Sequence, residues 1–468
     1  IQLLLPLHLF AQDNPDVRGK SLVFKHVTVI DATGSPAKVD MTVVITDKHI
    51  SALGKTDGFR IPKGAQVIEA AGKFLIPGLW DMHVHIFNYV SNRPPNSWYF
   101  PLLIANGVTG VREMWTKPRD MNQVLEWRRQ FAEGTVTIPR IAAVGTVVDG
   151  QPSIWPNTDT VGTPAEASRI VQRIKDTGVD FVKTYSNLSR ESYFAIVQEA
   201  RKQNIPFAGH VPFAVGADEA SNAGQRTMEH LNQVLETCSS KEDELLRVPS
   251  KDWSIANDKV MLNTHDERKC QKLFSLLAKN HTWQVPTLIR QQMHFFAGDL
   301  SYFTASPRLK YVPIDEQDRW KPYISRQKSV SEDEKSLRRR IWQAYLGVVG
   351  SMRRSGVDFM TGTDLGNDYI YPGFSLHDEL LLLVEGGLSP MEALQAATRN
   401  PAKFLGTIDR FGTIEKGKVA DLVLLDANPL ENIRNTQRIY AVVLNGRFLP
   451  KESLKRMLAE ATVVAINR

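Results

Sequence analysis

The chain has 468 residues, enough for about three average domains or for one large α/β barrel with satellites. Apolar residues make up 42% and charged residues 23%, with 30 Gly and 25 Pro, which excludes disordered, collagen-like and fibrous classes. The 57 Lys and Arg against 51 Asp and Glu leave +6, but the densest basic run, Arg338-Arg339-Arg340, follows Glu332, Asp333 and Glu334 as a solvated helix face does, so no nucleic-acid partner is expected.

In chain order, Ile1 to Gln12 is apolar and turns polar at Asp13-Asn14-Pro15-Asp16. That is the pattern of a secretory leader's tail with a cut after Ala11, and a frayed remnant reads the same way. Residues 1–19 are therefore set aside as a leader, and an exported chain, periplasmic or secreted, is expected. No later segment offers 18 uninterrupted apolar residues, so no membrane partner is expected after leader removal.

From Ser21 to about Leu75 the pattern is strand-like, with Leu22-Val23-Phe24, Val27 to Ile30, Met41 to Ile45 and Ile50 to Leu53 broken by Asp31-Ala32-Thr33-Gly34 and Gly54. The same character returns at Gly412 to Ile414, Ala420 to Leu425 and Ala441 to Leu444, where Asn445-Gly446 suits a tight hairpin turn. Residues 20–75 and 408–468 are predicted to join as one small β-sandwich domain beside a central domain spanning 76–407.

Inside that domain, short β-branched runs alternate with helical patterns. They lie at Phe74 to Met82, Val108 to Glu113, Arg140 to Gly145, Val179 to Lys183, Pro206 to Gly209, Arg226 to Glu229, Trp283 to Leu288 and Val357 to Gly362. Eight such units predict the α/β class and a (β/α)8 TIM barrel, whose chemistry sits at the C-terminal strand ends. Residues of about 238–282 and 300–345 exceed what a connection needs and are predicted as helical insertions near the barrel mouth. Ser389-Pro390-Met391-Glu392 carries a hydroxyl N-cap, proline at the first helical position and glutamate at the third, and predicts a helix start.

Two cysteines, Cys238 and Cys270, cannot build a cysteine-rich metal module, so a metal here is held by nitrogen and oxygen. Whether they pair or stay as buried thiols is open from sequence. The first run ends Asp81-Met82-His83-Val84-His85, and alternation along a strand points both imidazoles the same way. His210 closes the fifth run, His230 the sixth and Asp364 the eighth. Four of eleven histidines thus fall at strand ends with a carboxylate beside them, the donor set of a metal site. His26, His265, His294 and His377 are assigned to surface or core roles. Lys183 ends the fourth run; it suits a salt bridge or, deprotonated beside cations, a carbamate formed with carbon dioxide.

These motifs, Gly78 to His85, Lys183, His210, His230 and Asp364, together with Ala105 to Arg112, Gly387 to Leu394 and Gly417 to Val423, resemble the amidohydrolase superfamily, in its imidazolonepropionase-like and prolidase-like branch. The resemblance spans nearly the whole chain. It implies two divalent ions, zinc foremost, with His83, His85 and Asp364 on one, His210 and His230 on the other, and carbamylated Lys183 bridging them. Imidazolonepropionases have a mononuclear site without this lysine, which argues against that activity. Glu113-Met114-Trp115 and Val148-Asp149-Gly150 depart from the branch at loops that would meet substrate.

The expected reaction is hydrolysis of an amide-type C–N bond in a small molecule, a dipeptide or N-acyl amino acid, with a metal-bridging hydroxide as nucleophile and Asp364 moving the proton. An ester, lactone or carbamate substrate is the alternative. A non-catalytic scaffold would show a damaged ligand set, whereas all six positions are filled. Tyr185 is a candidate for the carbonyl or oxyanion, or for packing. Arg290 is a candidate for a substrate carboxylate, or for a surface ion pair. Trp115 and Trp155 are candidates for an apolar pocket, or for ordinary packing. The sequence leaves a homo-oligomer open.

Overall fold

The computed structural model describes residues 21–87, 94–153, 155, 158–295, 304–327 and 330–467, and the predicted leader lies outside them. Five strands come first: β1 Leu22–Val29, β2 Lys38–Thr46, β3 His49–Lys55, β4 Gln66–Glu69 and β5 Phe74–Pro77. The barrel segment supplies β6 Leu79–Val84, β7 Val108–Glu113, β8 Arg140–Gly150, β9 Asp159–Val161, β10 Phe181–Thr184, β11 Phe207–Gly209, β12 Thr227–Glu229 and β13 Trp283–Val285. Three more close the chain: β14 Leu422–Leu425, β15 Ile439–Leu444 and β16 Arg447–Pro450.

The N- and C-terminal segments form one sheet in the order β16-β15-β14-β5-β1-β2-β3, with β4 on β1. A single sheet replaces the expected pair of facing sheets. It curls until its β3 edge meets residues 417–420, where Ile50 N donates to Lys418 O at 2.9 Å and Ala420 N to Lys48 O at 2.8 Å. The curl encloses an apolar core that includes Phe24, Val27, Val43, Ile45, Leu422 and Val443. Asn445 and Gly446 take φ of 51° and 82°, the two left-handed positions a two-residue hairpin between β15 and β16 requires.

Seven parallel strands form the barrel in the order β6-β7-β8-β10-β11-β12-β13, with β9 alongside β8. The predicted eighth run makes only isolated bridges, yet it fills the last gap. Gln284 N donates to Asp358 O and Met360 N to Gln284 O on one side; Met82 N donates to Thr361 O and Asp364 N to His83 O on the other, all at 2.9 Å. Asp81 locks this closure, accepting from Thr363 N at 3.0 Å and Thr363 Oγ1 at 2.6 Å.

Several boundaries differ from those read in the sequence. The run Phe74 to Met82 divides at Gly78: β5 pairs antiparallel with β14 in the terminal sheet, whereas β6 enters the barrel. Gly78 makes the crossing because a Cβ there would lie 2.2 Å from Thr109 Oγ1. β8 runs five residues beyond Gly145, and β13 stops at Val285 because Leu288–Phe295 is helical. The chain ends in a helix, Lys451–Asn467, whose Leu454 and Ala461 join the barrel's core, so the last segment leaves the β module it was assigned to.

The helix expected after Ser389 is Pro390–Ala396, with Ser389 N donating to Glu392 Oε2 at 2.7 Å. The insertions contain helices Ile255–Asn263, Glu267–Lys279 and Ile314–Gln327, and Glu332–Arg354 continues nine residues past the expected limit at 345. Cys238 and Cys270 form a disulfide, with Cα atoms 4.7 Å apart.

Candidate active site

Polar groups at the C-terminal strand ends converge in the barrel's mouth. His83 belongs to β6 and His85 follows it, Lys183 lies in β10, His210 and His230 directly follow β11 and β12, and Asp364 follows the closing segment. All six are at most 8% exposed. Asp364 is the hub: its Oδ1 lies 2.9 Å from His85 Nε2 and 3.3 Å from His83 Nε2, and its Oδ2 lies 4.0 Å from His230 Nε2 and 3.7 Å from Arg290 Nε. Lys183 Nζ is 3.4 Å from His83 Nε2, and the His210 and His230 rings are 4.8 Å apart.

Among the described histidines and carboxylates of the mouth, His83, His230 and Asp364 place one ligand atom each within 4.8 Å of one another. His85, Lys183 and His210 border that trio. The arrangement therefore gathers all six predicted residues, with its tightest group drawn from both of the expected ligand sets. A second group, His265, Glu267 and Cys270, is a poor metal site because Cys270 is in the disulfide and offers no thiolate.

Three histidines are held from behind, which leaves each Nε2 for the centre. Glu229 Oε2 lies 2.8 Å from His83 Nδ1, Ser186 Oγ 2.7 Å from His210 Nδ1 and Thr287 Oγ1 2.6 Å from His230 Nδ1. Such outer contacts fix ring orientation and tautomer at metal sites. Glu229 is itself satisfied by Arg112 Nη2 at 2.8 Å and by the Thr227 hydroxyl, a buried ion pair inside the barrel. Sequence reading passed over Glu229, Arg112, Ser186 and Thr287. Glu229 stands beside His230 at a strand end, and that adjacency was the available signal.

The backbone is strained here. His230, Leu231, Gln233, Thr287 and Asp364 adopt φ of 62°, 57°, 61°, 47° and 61°, each costing about 1–2 kcal/mol for a residue with a Cβ. Non-glycine residues held this way cluster at functional sites, where the surrounding structure maintains them.

Burial disfavours charge on every member of the cluster. It holds His83, His210 and His230 well below the usual imidazole range, with Lys183 adding to the effect on each. Burial also pulls the Lys183 amine down to about 8, against the opposing pull of Asp364 and Glu229. For Asp364 burial works the other way, but His230, His83 and His85 outweigh it and keep the carboxyl well below the usual carboxylate range. The centre is thus a set of neutral imidazoles around an ionised carboxylate, the protonation pattern metal ligation requires.

One wall is aromatic. The Tyr185 ring stacks on His210 at 4.0 Å, Trp115 lies 5.8 Å from His85 and 5.5 Å from Tyr185, and Trp155 Nε1 donates to Tyr185 Oη at 2.7 Å. Arg290, 30% exposed by side chain, reaches the cluster from its solvent side, its Nε 3.7 Å from Asp364 Oδ2. Glu113, fully buried, accepts from Trp115 N at 2.7 Å and from Ile86 N, tying the Trp115 loop to the segment after His85.

Residues 345–449 match the model of the amidohydrolase family. Among curated proteins, ochratoxinase of Aspergillus niger is 23% identical, over 88% of this chain and 83% of that one. Among solved structures, a bottromycin amidohydrolase superposes with a TM-score of 0.75 at 23% identity, covering 96% of this chain and 91% of the other. A Xaa-Pro dipeptidase with bound methionine superposes at 0.65 and 19% identity, covering 92% and 100%. The resemblance read from the motifs is therefore matched by a family model over the C-terminal part and by a shared fold over nearly the whole length.

Proposed function

We propose that the chain is a metal-dependent amidohydrolase that cleaves an amide-type C–N bond in a dipeptide-like or N-acyl amino acid substrate. The observation that carries this is the convergence of four imidazoles, one lysine amine and one ionised carboxylate in a single buried cluster at the mouth of the barrel. The chain is a hydrolytic enzyme. Ochratoxinase, bottromycin amidohydrolase and Xaa-Pro dipeptidase, as named, support cleavage of the amide type.

The donor set suits two divalent ions, zinc foremost: His83, His85 and Asp364 would hold one, His210 and His230 the other, with Lys183 as a bridging carbamate. When bound, such ions supply hydroxide at neutral pH and polarise a carbonyl. The neutral imidazoles and their fixed Nε2 atoms fit that role.

The chain's own residues do the rest. Asp364, kept ionised, accepts the proton from the attacking water and delivers it to the departing nitrogen. Tyr185 keeps its phenolic proton because burial raises its pKa, and its oxygen accepts from Trp155, so its O–H is left to donate to the substrate carbonyl or the tetrahedral oxyanion. Arg290 at the rim pairs with a substrate carboxylate. Trp115 and Trp155 provide an apolar wall for the neighbouring group. The Cys238–Cys270 disulfide supports an exported chain. Among the described residues, no helix is long and apolar enough to cross a membrane.

The test is metal analysis of the purified protein together with a library of dipeptides and N-acyl amino acids, run beside ester, lactone and carbamate panels. The expected result is two metal ions per chain and chelator-sensitive release of an amine. Turnover that survives complete removal of metal, or turnover confined to the ester, lactone or carbamate panel, overturns the reading.

A further inference from the structure

The helix Leu288–Phe295 opens at Thr287, whose φ of 47° is left-handed and whose carbonyl accepts from Gln291 N at 3.1 Å. A threonine in that place ordinarily caps the helix, its hydroxyl accepting from the second or third backbone amide. Here the hydroxyl is engaged elsewhere: Thr287 Oγ1 lies 2.6 Å from His230 Nδ1. Gln291 on the same turn donates from Nε2 to His230 O at 2.7 Å. One helical turn thus holds both the ring of His230 and its left-handed backbone.

The missing cap is supplied by a helix some 90 residues further on. Glu379, in the helix Phe374–Glu385, accepts from Ile289 N at 2.8 Å through Oε2, and the Leu288 amide acts on the same carboxyl. Three consecutive residues of that helix reach three different elements. His377 meets Thr436 Oγ1 and Asn106 O, Asp378 pairs with Arg308, and Glu379 reaches the turn beside His230.

Glu379 is 0% exposed, and unlike Asp378 it has no cation among the described residues. Its Oε1 has no hydrogen-bond partner there either. Burial raises its pKa to about 8, against the pull of the two amides. Burying a carboxyl with so little to satisfy it opposes folding. Its one attachment is the turn that aims Thr287.

We propose that Glu379 is a positioning residue for His230: by capping the turn in place of Thr287, it frees the Thr287 hydroxyl to fix the His230 ring with Nε2 toward the centre. The consequence for metal binding rests on the hydrolytic reading given above, whereas the coupling of Glu379 to His230 does not.

The test is the His230 ring itself, followed by nitrogen NMR in chelator-treated protein labelled at histidine, its signals identified by their loss in His230→Asn. The parent should show one tautomer, protonated on Nδ1. Glu379→Leu fills the space but accepts no hydrogen bond, and should shift these signals toward the tautomer mixture of a free imidazole. Glu379→Gln, whose amide oxygen still accepts from Ile289 N, should keep the parent pattern. Thr287→Val leaves the Glu379 cap intact and should give the same change as Glu379→Leu. Zinc affinity, read by competition with a chromophoric chelator, should fall about 10- to 100-fold in Glu379→Leu or Thr287→Val, and no further in the double variant, because both break one path. Unchanged ring signals in Glu379→Leu, or in Thr287→Val, would overturn the proposal. So would an equal disturbance in Glu379→Gln, or affinity losses that multiply in the double variant. Should Glu379→Leu fail to fold, Thr287→Val and Glu379→Gln still decide the matter. A parent that binds no zinc would sink the metal reading and leave the ring signals to judge the role of Glu379.

Discussion

Around the terminal sheet, Phe24, Val27, Val43, Ile45, Leu422 and Val443 pack as an apolar core between strands whose ladders are broken only by local register shifts in β1–β2 and β14–β15. At the barrel mouth, a comparable degree of burial encloses His83, Lys183, Glu229 and Asp364, and the left-handed residues His230, Leu231, Gln233, Thr287 and Asp364 are themselves buried, whereas in the sheet His26, Asp40, Asp47 and Asn445 take that conformation at half-buried or exposed bulges and turns. The first region gains stability from apolar burial. The second buries ionisable groups and strained residues, which oppose folding unless they are mutually satisfied, and is maintained because its geometry does chemistry. Substitutions should therefore separate cleanly, with activity lost at one place and stability at the other.

The largest effect is expected at Asp364. Asp364→Asn removes the group that moves the proton while keeping its size, so kcat should fall about 10²- to 10⁴-fold even in protein reloaded to the parent's metal content by elemental analysis. A kcat within tenfold of the parent would show that another group moves the proton. The counterpart is Phe24→Ala, at a ring that is fully buried and 6.0 Å from Phe448. It should cost about 3–5 kcal/mol of stability in denaturant titration and leave kcat/KM per folded molecule unchanged. A catalytic defect in the folded fraction would mean that the two regions are coupled.

The mouth itself divides into ligands and the groups that orient them. Glu229→Gln keeps a hydrogen bond to His83 but removes the charge that balances Arg112. Metal affinity, measured by competition with a chromophoric chelator, should weaken about 10- to 100-fold. An unchanged affinity would reduce Glu229 to a structural partner of Arg112.

This division also explains what the sequence could disclose. His83 and His85 were legible because alternation along one strand is local, and the Ser389 cap was legible because its partner Glu392 is three residues away. Glu229 meets His83 across 146 residues and Arg112 across 117, pairings created only when the barrel closes. The same holds for the division of Phe74 to Met82, since which sheet claims β5 depends on β14 nearly 350 residues later. The terminal helix escaped notice for a related reason: Leu454 and Ala461 bury against barrel elements far away in sequence. The pairing of Cys238 with Cys270 was open because connectivity depends on how the insertion folds back on itself.

The smallest of these effects is one of acidity, and it again sets mouth against sheet. Burial, with the Lys183 charge adding to it, holds His83, His210 and His230 below their ordinary range in the folded chain, so the unfolded chain binds more protons once pH drops beneath about 6.5. Stability contributed by these neutral imidazoles is therefore complete above that pH and is lost as pH falls, at about 1.4 kcal/mol per pH unit for each proton the unfolded state gains. Asp364 acts in the same sense, since its folded pKa is also depressed, but its contribution starts to fall only near the ordinary carboxylate value of 3.8, so it adds nothing to the histidine effect between pH 7 and 5. Buried Asp81, Glu113, Glu236 and Glu379, whose pKa values burial raises to about 7 or 8, stabilise the fold on acidification and oppose the histidines. With chelator present the histidine effect is therefore read as a difference: His210→Asn should make Tm fall less, or rise more, than the parent between pH 7 and 5, whereas Phe24→Ala should lower the whole curve without changing its shape. A Tm profile of His210→Asn parallel to that of the parent from pH 7 to 5 would mean that this imidazole is not held neutral by burial, and the contrast between a chemically committed mouth and an apolar sheet would lose its electrostatic basis.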